Sequence, residues 1–174
     1  MNKAFPNKKY NVIVIDPPWG IKKIQRKVRP NQVAMDYPTM SLDDIKSLPI
    51  PNISEENSVC FLWTIHKYLK DAFDVLEGYG FKYQRTITWD KKNGMCLFGF
   101  HHRTEFILFG YKGKLEMYPN KKAMPTIITE YCNVHSRKPD IFYEWAETFG
   151  DKRIDLFARR IRNGWEVWGD EVGE

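Results

Sequence analysis

Residues 10–19, with the sequence YNVIVIDPPW, join an apolar run to a stiff turn. The run from Tyr10 to Ile15 is continuous and rich in β-branched side chains, which is typical of a strand buried on both faces of a parallel sheet. Pro17 and Pro18 fix φ and have no N–H to donate to a neighbouring strand, so we predict that the strand ends at Asp16. A carboxylate therefore stands directly at the end of a buried strand.

The segments that follow alternate between strand and helix patterns. We predict strands at 58–64, 83–89, 105–111, 126–131 and 153–158, and a last short one at 165–168. Helices are predicted from a Ser41 cap to Pro49, over 67–78, and from Pro139, as first helical residue, to Phe149, with loops at 20–38, 91–103 and 115–125. This order indicates a single α/β domain over residues 1–174, a three-layer sandwich with a mostly parallel sheet, in which ligands bind at the carboxyl ends of strands.

The composition fits a globular chain with a polyanionic partner. The 174 residues carry a net charge of +5 and are 43% hydrophobic. No apolar run reaches the roughly 18 residues of a membrane helix, and the polar, Lys-rich start is unlike a signal peptide. The three cysteines are odd in number and far apart, which predicts reduced thiols in a cytoplasmic protein and no metal site. The positive charge favours nucleic acid without proving it.

The tetrapeptide Asp16-Pro17-Pro18-Trp19 has the chemistry of a pocket for an aromatic amine. The prolines leave only backbone acceptors, the ionised carboxylate is also an acceptor, and the indole offers a flat face. An exocyclic ring amine is a poor nucleophile because its lone pair is delocalised into the ring. Two acceptors on its hydrogens, from Asp16 and the Pro17 carbonyl, would free that lone pair and stabilise the charge that develops as a methyl group arrives. The alternative is a rigid turn with a packing tryptophan.

Seven further segments, in order along the chain, identify a resemblance. The sequence resembles the adenine methyltransferases related to the catalytic subunit of the eukaryotic messenger-RNA adenine methyltransferase, whose prokaryotic and phage members act on DNA. The similarity extends from Tyr10 to Glu171. Beyond the Asp-Pro-Pro-Trp signature it rests on the segments Tyr37–Met40, Phe61–Trp63, Thr88–Lys91, Arg103–Glu105, His135–Asp140, and the C-terminal pair Leu156–Arg159 and Gly164–Gly169.

The resemblance implies a Rossmann-like fold dependent on S-adenosylmethionine (SAM), without a metal, in permuted order with the catalytic strand first and the cofactor strand last. That order explains why no GxGxxG follows the first strand. Asp16, Pro17, Pro18 and Trp19 would be catalytic, and Tyr37 and Glu105 would lie near the target base. The implied cofactor-binding residues are Asp16, Lys138, Phe157, Arg159, Asn163, Asp170 and Glu171. Asp170 stands where family members often have Asn, although an acid can still accept from ribose hydroxyls.

Basic residues after the catalytic turn are candidates for contact with phosphates. Five cations fall within eight residues, at Lys22, Lys23, Arg26, Lys27 and Arg29, and such contacts would be salt-sensitive. His102 and Arg103, in the predicted loop, are further nucleic-acid candidates. The alternative for both segments is a solvated loop.

Together these observations predict an enzyme, a site-specific or loosely specific DNA adenine-N6 methyltransferase. A target in a duplex would have to leave the stack. The short chain has little room for a recognition domain, so we expect loose sequence preference, a homodimer, or help from a second subunit. The alternatives are the same reaction on RNA, a non-catalytic nucleic-acid-binding subunit, and a methyltransferase for small amines; the intact signature and the basic segment count against the last two.

Overall fold

Seven strands form one sheet in the computed structural model, which describes residues 4–20, 39–115, 123–131 and 137–169. All seven predicted strands are present, and the first ends at Ile15, one residue before the predicted end at Asp16. The strands are β1 (Tyr10–Ile15), β2 (Ser54–Thr64), β3 (Lys82–Leu97), β4 (Phe100–Lys112), β5 (Ile127–Thr129), β6 (Arg153–Leu156) and β7 (Glu166–Trp168).

The sheet is mostly parallel, as predicted. Its strand order is β5-β3-β4-β2-β1-β6-β7. Within the described part of the chain, β4 runs against its neighbours β2 and β3, while the other adjacent pairs are parallel. The chain passes from β1 to one side of the sheet and later returns to the other side with β6, so the strand order reverses beside β1. Such a switch point opens a crevice outside the carboxyl ends of the strands.

Short helices connect the strands. They are α1 (Leu42–Lys46), α2 (Ile50–Ile53), a 3₁₀ turn (His66–Tyr68), α3 (Leu69–Gly78) and α4 (Asp140–Glu147). The Ser41 hydroxyl accepts the Asp44 N–H at 3.1 Å, which confirms the predicted cap. Pro139 is the N-cap of α4 instead of its first residue, because its ψ of 136° is extended, and the helix stops at Glu147 instead of Phe149.

The helices cover both faces of the sheet, which confirms the three layers. Along β1, Ile13 and Ile15 pack with residues of α1, α2 and α3, whereas Val12 and Val14 pack on the opposite face with α4. The alternation is the period of two expected of a strand. Because both faces are covered, β1 is buried on both sides, in agreement with its continuous apolar sequence.

The predicted loop at 91–103 is wrong, because β3 and β4 continue through it as a hairpin. Leu97 pairs with Phe100 and Cys96 with His101. Phe98 and Gly99 form the turn with φ of 53° and 81°, the positive pair found in type I′ hairpin turns. Glycine tolerates such a φ freely, but phenylalanine does so at a cost.

Candidate active site

The period of two along neighbouring strands brings charged groups to one edge of the sheet. On the face covered by α4, Val14 is followed by Asp16 at the end of β1, and Ile107 is preceded by Glu105 on β4. Because β4 is antiparallel, its Glu105 lies just beyond the carboxyl end of β2. Lys138 reaches the same edge from the segment that leads into α4. The sequence motifs are far apart in the chain, but the sheet places them together.

A buried ammonium lies between two carboxylates at this edge. Lys138 Nζ is 3.0 Å from Asp16 Oδ2 and 2.8 Å from Glu105 Oε2, and its side chain is only 12% exposed. Lys91 Nζ holds the other Glu105 oxygen, Oε1, at 3.0 Å. The ring centroid of Trp63 is 4.3 Å from Lys138 Nζ, within cation–π range. We call Asp16, Lys91, Glu105 and Lys138 the charged cluster.

Two members of the charged cluster, Glu105 and Lys138, stay ionised despite their burial. Burial alone would raise the pKa of Glu105, but Lys138 and Lys91 outweigh it and hold that pKa at about 2. Burial would likewise lower the pKa of Lys138, but the carboxylates of Asp16 and Glu105 raise it above the usual lysine value. Glu105 and Lys138 are therefore each stabilised in the charged form by their neighbours.

The Asp-Pro-Pro-Trp turn is held in place through Trp19. Its Nε1 donates to the Trp63 carbonyl at 3.0 Å, and its ring stacks on Tyr68 with centroids 5.2 Å apart and planes 19° from parallel. Tyr68 Oη donates to the Gly20 carbonyl, which also accepts from Lys67 Nζ at 2.9 Å. These contacts fasten the Trp19–Gly20 end of the turn.

Trp19 differs from the open stacking face predicted for it. The residue is only 6% exposed and belongs to the core on the side of α1 and α3. The physical reason is that the indole satisfies its N–H and one ring face within the chain, through Trp63 and Tyr68. In this structure Trp19 anchors the turn.

The proline carbonyls of the turn are already engaged once each. Pro17 O accepts the Trp19 N–H at 2.8 Å, and Pro18 O accepts the Met40 N–H at 2.9 Å. A carbonyl oxygen has two lone pairs, so each retains capacity for one more donor. Asp16 is half-buried, and Lys138 contacts its Oδ2. The predicted acceptor character of the turn is therefore compatible with these contacts.

The crevice at the switch point has features that suit the implied cofactor. Phe157, directly after β6, has a φ of 66°, a strained conformation of the kind that concentrates at functional sites. Its N–H donates to the Trp168 carbonyl, and a Cβ on Gly169 would lie 3.0 Å from Phe157 Cα, so glycine permits this close approach. The Asp16 N–H donates to Leu156 O at 3.3 Å, so the ends of β1 and β6 are adjacent.

Two buried polar atoms at the end of β2 fit the same interpretation. Within the described residues, Trp63 Nε1 and Thr64 Oγ1 have no hydrogen-bond partner. Buried polar groups in native proteins are almost always satisfied, so orphaned ones call for a ligand or water. The charge of Lys138, the strained Phe157 and these atoms together fit a bound group with a carboxylate and polar edges, as SAM has.

A second buried acid lies one strand away from Asp16. Asp155 on β6 is 6% exposed, and its Oδ2 accepts the Tyr143 hydroxyl at 2.7 Å. Burial raises the pKa of Asp155 to about 7, although the hydrogen bond from Tyr143 opposes the shift. Arg162 lies over the Tyr143 ring, with Cζ 4.1 Å from the centroid. Because Asp155 is the penultimate residue of β6, the Asp155–Tyr143 pair lies next to the carboxyl end of that strand.

The remaining predicted site residues are more dispersed. Arg159 is half-buried and Asn163 exposed, both in the segment between β6 and β7. His102 and Arg103 lie on β4, where Arg103 clamps Asp90 through two hydrogen bonds of 2.6 and 2.5 Å. This clamp, together with the Lys92 N–H, lowers the pKa of Asp90 to about 2. The other candidates lie outside the described residues: Lys22, Lys23, Arg26, Lys27, Tyr37, Asp170 and Glu171.

Sequence reasoning missed several residues that complete the site. Lys91 was visible within the Trp-x-Lys segment but was given no role, and Asp155 could have been found as a charged residue within an apolar strand. Trp63 lies in the strand predicted at 58–64 and is a buried core residue. Tyr68 falls within the helix predicted over 67–78, and only the fold shows that it stacks on Trp19.

Within residues 4–20, 39–115, 123–131 and 137–169, no helix is long and apolar enough to cross a membrane. In the same ranges, no three His, Cys, Asp or Glu side chains are grouped closely enough to hold a metal ion.

Comparisons with known proteins agree with this geometry. The chain is 28% identical to the type II methyltransferase M.MunI of a Mycoplasma species, over 96% of this chain and 79% of the relative. It is 28% identical to a putative N(6)-adenosine-methyltransferase MT-A70-like protein of Medicago truncatula and 25% identical to the human N(6)-adenosine-methyltransferase catalytic subunit METTL3. Each alignment covers 94% of this chain but only 26% and 28% of those two relatives.

The predicted family resemblance is confirmed by a match to a family as a whole. The match covers residues 10–171, from the first residue of β1 to beyond β7, and so includes the catalytic turn, the charged cluster and the end of β6. On this match and the relatives above, the chain belongs to the MT-A70 family.

Proposed function

We propose that this protein transfers a methyl group from SAM to the exocyclic N6 amine of adenine in DNA. The observation that carries the proposal is the charged cluster beside a rigid Asp-Pro-Pro-Trp turn, at the switch point of the sheet. Membership of the MT-A70 family supports the reaction type, and relatives named N(6)-adenosine-methyltransferases support the target atom.

The residues of the turn activate the amine. SAM supplies an electrophilic methyl group on a sulfonium. Asp16 and the Pro17 carbonyl accept hydrogen bonds from the two amine N–H groups, which favours a tetrahedral nitrogen with an available lone pair and stabilises the charge that develops on it. One amine proton leaves the nitrogen after the methyl group has been transferred. Lys138 holds Asp16 through Oδ2, so the carboxylate is oriented before the substrate arrives. The turn is anchored by Trp19, and this rigidity keeps the acceptors in position.

Residues on both sides of β1 would hold the cofactor. Lys138 is placed to pair with its carboxylate, since an ammonium makes a mobile point contact with such a group. Phe157, Arg159 and Asn163 follow β6, at the sheet edge where the family that this sequence resembles binds its cofactor. Asp170 and Glu171 would contact the cofactor from the same side of β1. Glu105 would keep Lys138 aligned through its 2.8 Å contact.

DNA is the favoured substrate, with RNA as the alternative. The prokaryotic and phage members that the sequence resembles act on DNA, and the alignment with the Mycoplasma relative covers 79% of its length. Base extrusion would bring adenine to Asp16, with Tyr37 and the cations at Lys22, Lys23, Arg26 and Lys27 as contacts. We further propose a cytoplasmic protein that acts as a homodimer or with a recognition subunit.

Labelled SAM tests the reaction directly. The protein is incubated with matched DNA and RNA oligomers, single- and double-stranded, with and without adenine. We expect label in adenine-containing DNA only; label confined to RNA would establish the alternative, and no label in any adenine-containing oligomer would overturn the proposal.

Asp16→Ala should abolish transfer while the protein stays folded. The matched control is Asp74→Ala, which removes an exposed carboxylate from α3 and should leave the rate unchanged. Circular dichroism and urea unfolding verify that both variants are folded. Near-normal transfer by Asp16→Ala would refute the assigned role of the turn.

A further inference from the structure

The β3–β4 hairpin extends past the edge of the sheet beside the charged cluster. In the described residues, β2 pairs with β4 no further than Phe106, and β5 pairs with β3 no further than Asp90. Beyond these positions the two strands pair with each other. Five residues separate Glu105 from Phe100, so at about 3.4 Å per residue the hairpin extends roughly 17 Å beyond the cluster. We call residues 91–104 the hairpin arm.

The end of the hairpin arm exposes two aromatic rings. Phe98 is 85% exposed and Phe100 is 73% exposed, the two highest values among the exposed large hydrophobic residues. Phe98 also occupies a turn position with φ of 53°, where a side chain is disfavoured. A soluble protein has no packing reason to keep two phenylalanines in water at a strained turn. Such rings are typical of side chains that enter between bases or stack on them.

The charge along the hairpin arm suits a polyanion. Between Asp90 and Glu105 the sequence has no acidic residue, whereas it has Lys91, Lys92, Arg103 and two histidines. The two bounding carboxylates are themselves taken up, Asp90 by Arg103 and Glu105 by Lys91 and Lys138. Lys91 and Arg103 are engaged by these two acids, so a strand of nucleic acid along the arm would meet chiefly Lys92, the two histidines and the rings, without facing an unpaired acid.

We propose that the rings of Phe98 and Phe100 enter the base stack of duplex DNA beside the target adenine and help to extrude it. The inference rests on the proposed function, because extrusion matters only if the base must reach Asp16. A second copy of the chain is the less favoured occupant. An isologous contact through the arms would place the same cations against each other, whereas phosphates would neutralise them.

The double variant Phe98→Ala/Phe100→Ala tests the proposal against Ile127→Ala. Ile127 is also an exposed large hydrophobic residue, at 55%, but lies on the edge strand β5. Methylation rates are measured on a duplex with the target adenine paired and on the same duplex with an abasic site opposite it. Base stacking contacts of this kind change affinity roughly 10- to 100-fold. We expect the abasic-to-paired rate ratio to rise by a factor in that range in the double variant and to stay unchanged in Ile127→Ala.

Several outcomes would overturn the proposal. An unchanged abasic-to-paired rate ratio in the double variant, including one in which both rates fall by the same factor, would exclude a role of the two rings in extrusion. A wild-type dimer that becomes monomeric in the double variant, measured by light scattering, would identify the tip as a protein interface instead.

A binding experiment separates failure of this inference from failure of the proposed function. Fluorescence anisotropy with a random-sequence duplex requires no methyl transfer. If the wild type methylates nothing, weaker duplex binding by the double variant than by Ile127→Ala would still support the contact of the tip with DNA. Equal binding by the two variants would refute it.

Discussion

Replacing Lys138 with methionine should destabilise the fold through the two carboxylates that it leaves behind. Methionine keeps most of the length of the side chain and removes its charge. Glu105 and Asp16 then lose a cation at 2.8 and 3.0 Å. Removing one partner of a buried ion pair typically costs about 3 to 5 kcal/mol.

The geometry of the charged cluster places the expected loss at the low end of that range. Glu105 retains Lys91 at 3.0 Å, and the Asp16 side chain is 32% exposed, so water can partly solvate it. We expect the free energy of unfolding to fall by about 3 kcal/mol. In urea this corresponds to a midpoint lower by roughly 1 to 3 M, with an unchanged slope.

Lys8→Met is the matched control for this measurement. Lys8 pairs with Glu166 at 2.8 Å, but the two side chains are 67% and 50% exposed. An exposed pair contributes about 0 to 1 kcal/mol, so its urea midpoint should hardly move. Adding Glu105→Gln to Lys138→Met should recover part of the loss, because it removes one of the stranded charges.

Equal midpoints for Lys138→Met and Lys8→Met would refute the reasoning. That result would mean that the charged cluster is solvated and does not form the buried network described above. Fully additive effects of Lys138→Met and Glu105→Gln would contradict the direct contact between the two side chains.

Two other perturbations follow from the structure. The pKa of Asp155 is raised to about 7 in the folded state. Between about pH 4 and 7 this side chain is therefore ionised in the unfolded chain but protonated in the folded protein, so the free energy of unfolding falls as pH rises. Asp155→Asn should remove this pH dependence, and urea midpoints that decline equally in the wild type and in Asp155→Asn across that range would contradict the assignment. Tyr68→Phe keeps the stack on Trp19 but loses the hydroxyl to the Gly20 carbonyl, at about 1 kcal/mol. Tyr68→Ala loses the ring pair as well, for about another 1 kcal/mol. It should reduce kcat by a larger factor than it changes the KM for SAM. Equal kinetic constants for the two Tyr68 variants would exclude a role of the Trp19–Tyr68 stack in positioning the turn.

The central part of the fold was readable because it depends on local sequence. The run Val12–Ile15 is apolar and β-branched without interruption, and the bounds of β1 were predicted to within one residue. The hairpin arm was missed because its glycines, histidines and cations have the composition of a loop. Its turn, Phe98-Gly99, also lacks the Asn-Gly or Asp-Gly pair that usually signals a two-residue hairpin.

The site was only partly readable, because its contacts are set by strand register. Asp16, Glu105 and Lys138 were identified through motifs, but their mutual contacts depend on β1, β4 and α4 meeting at one edge. The burial of Trp19 depends on Tyr68, which is 49 positions further along the chain and reaches it only in the folded protein. The Trp19 ring, predicted as a binding face, is therefore used within the chain to hold the turn.

The position of β1 has a consequence for how the protein is made. β1 leaves the ribosome first but lies between β2 and β6, and its partner on the second side, Arg153–Leu156, is synthesised about 140 residues later. Pairings so distant in sequence slow folding, since a long loop must close before they form. During synthesis the Asp-Pro-Pro-Trp turn therefore emerges early but remains open on the flank where β6 will lie, and the crevice at the switch point can form only after β6 has also left the ribosome.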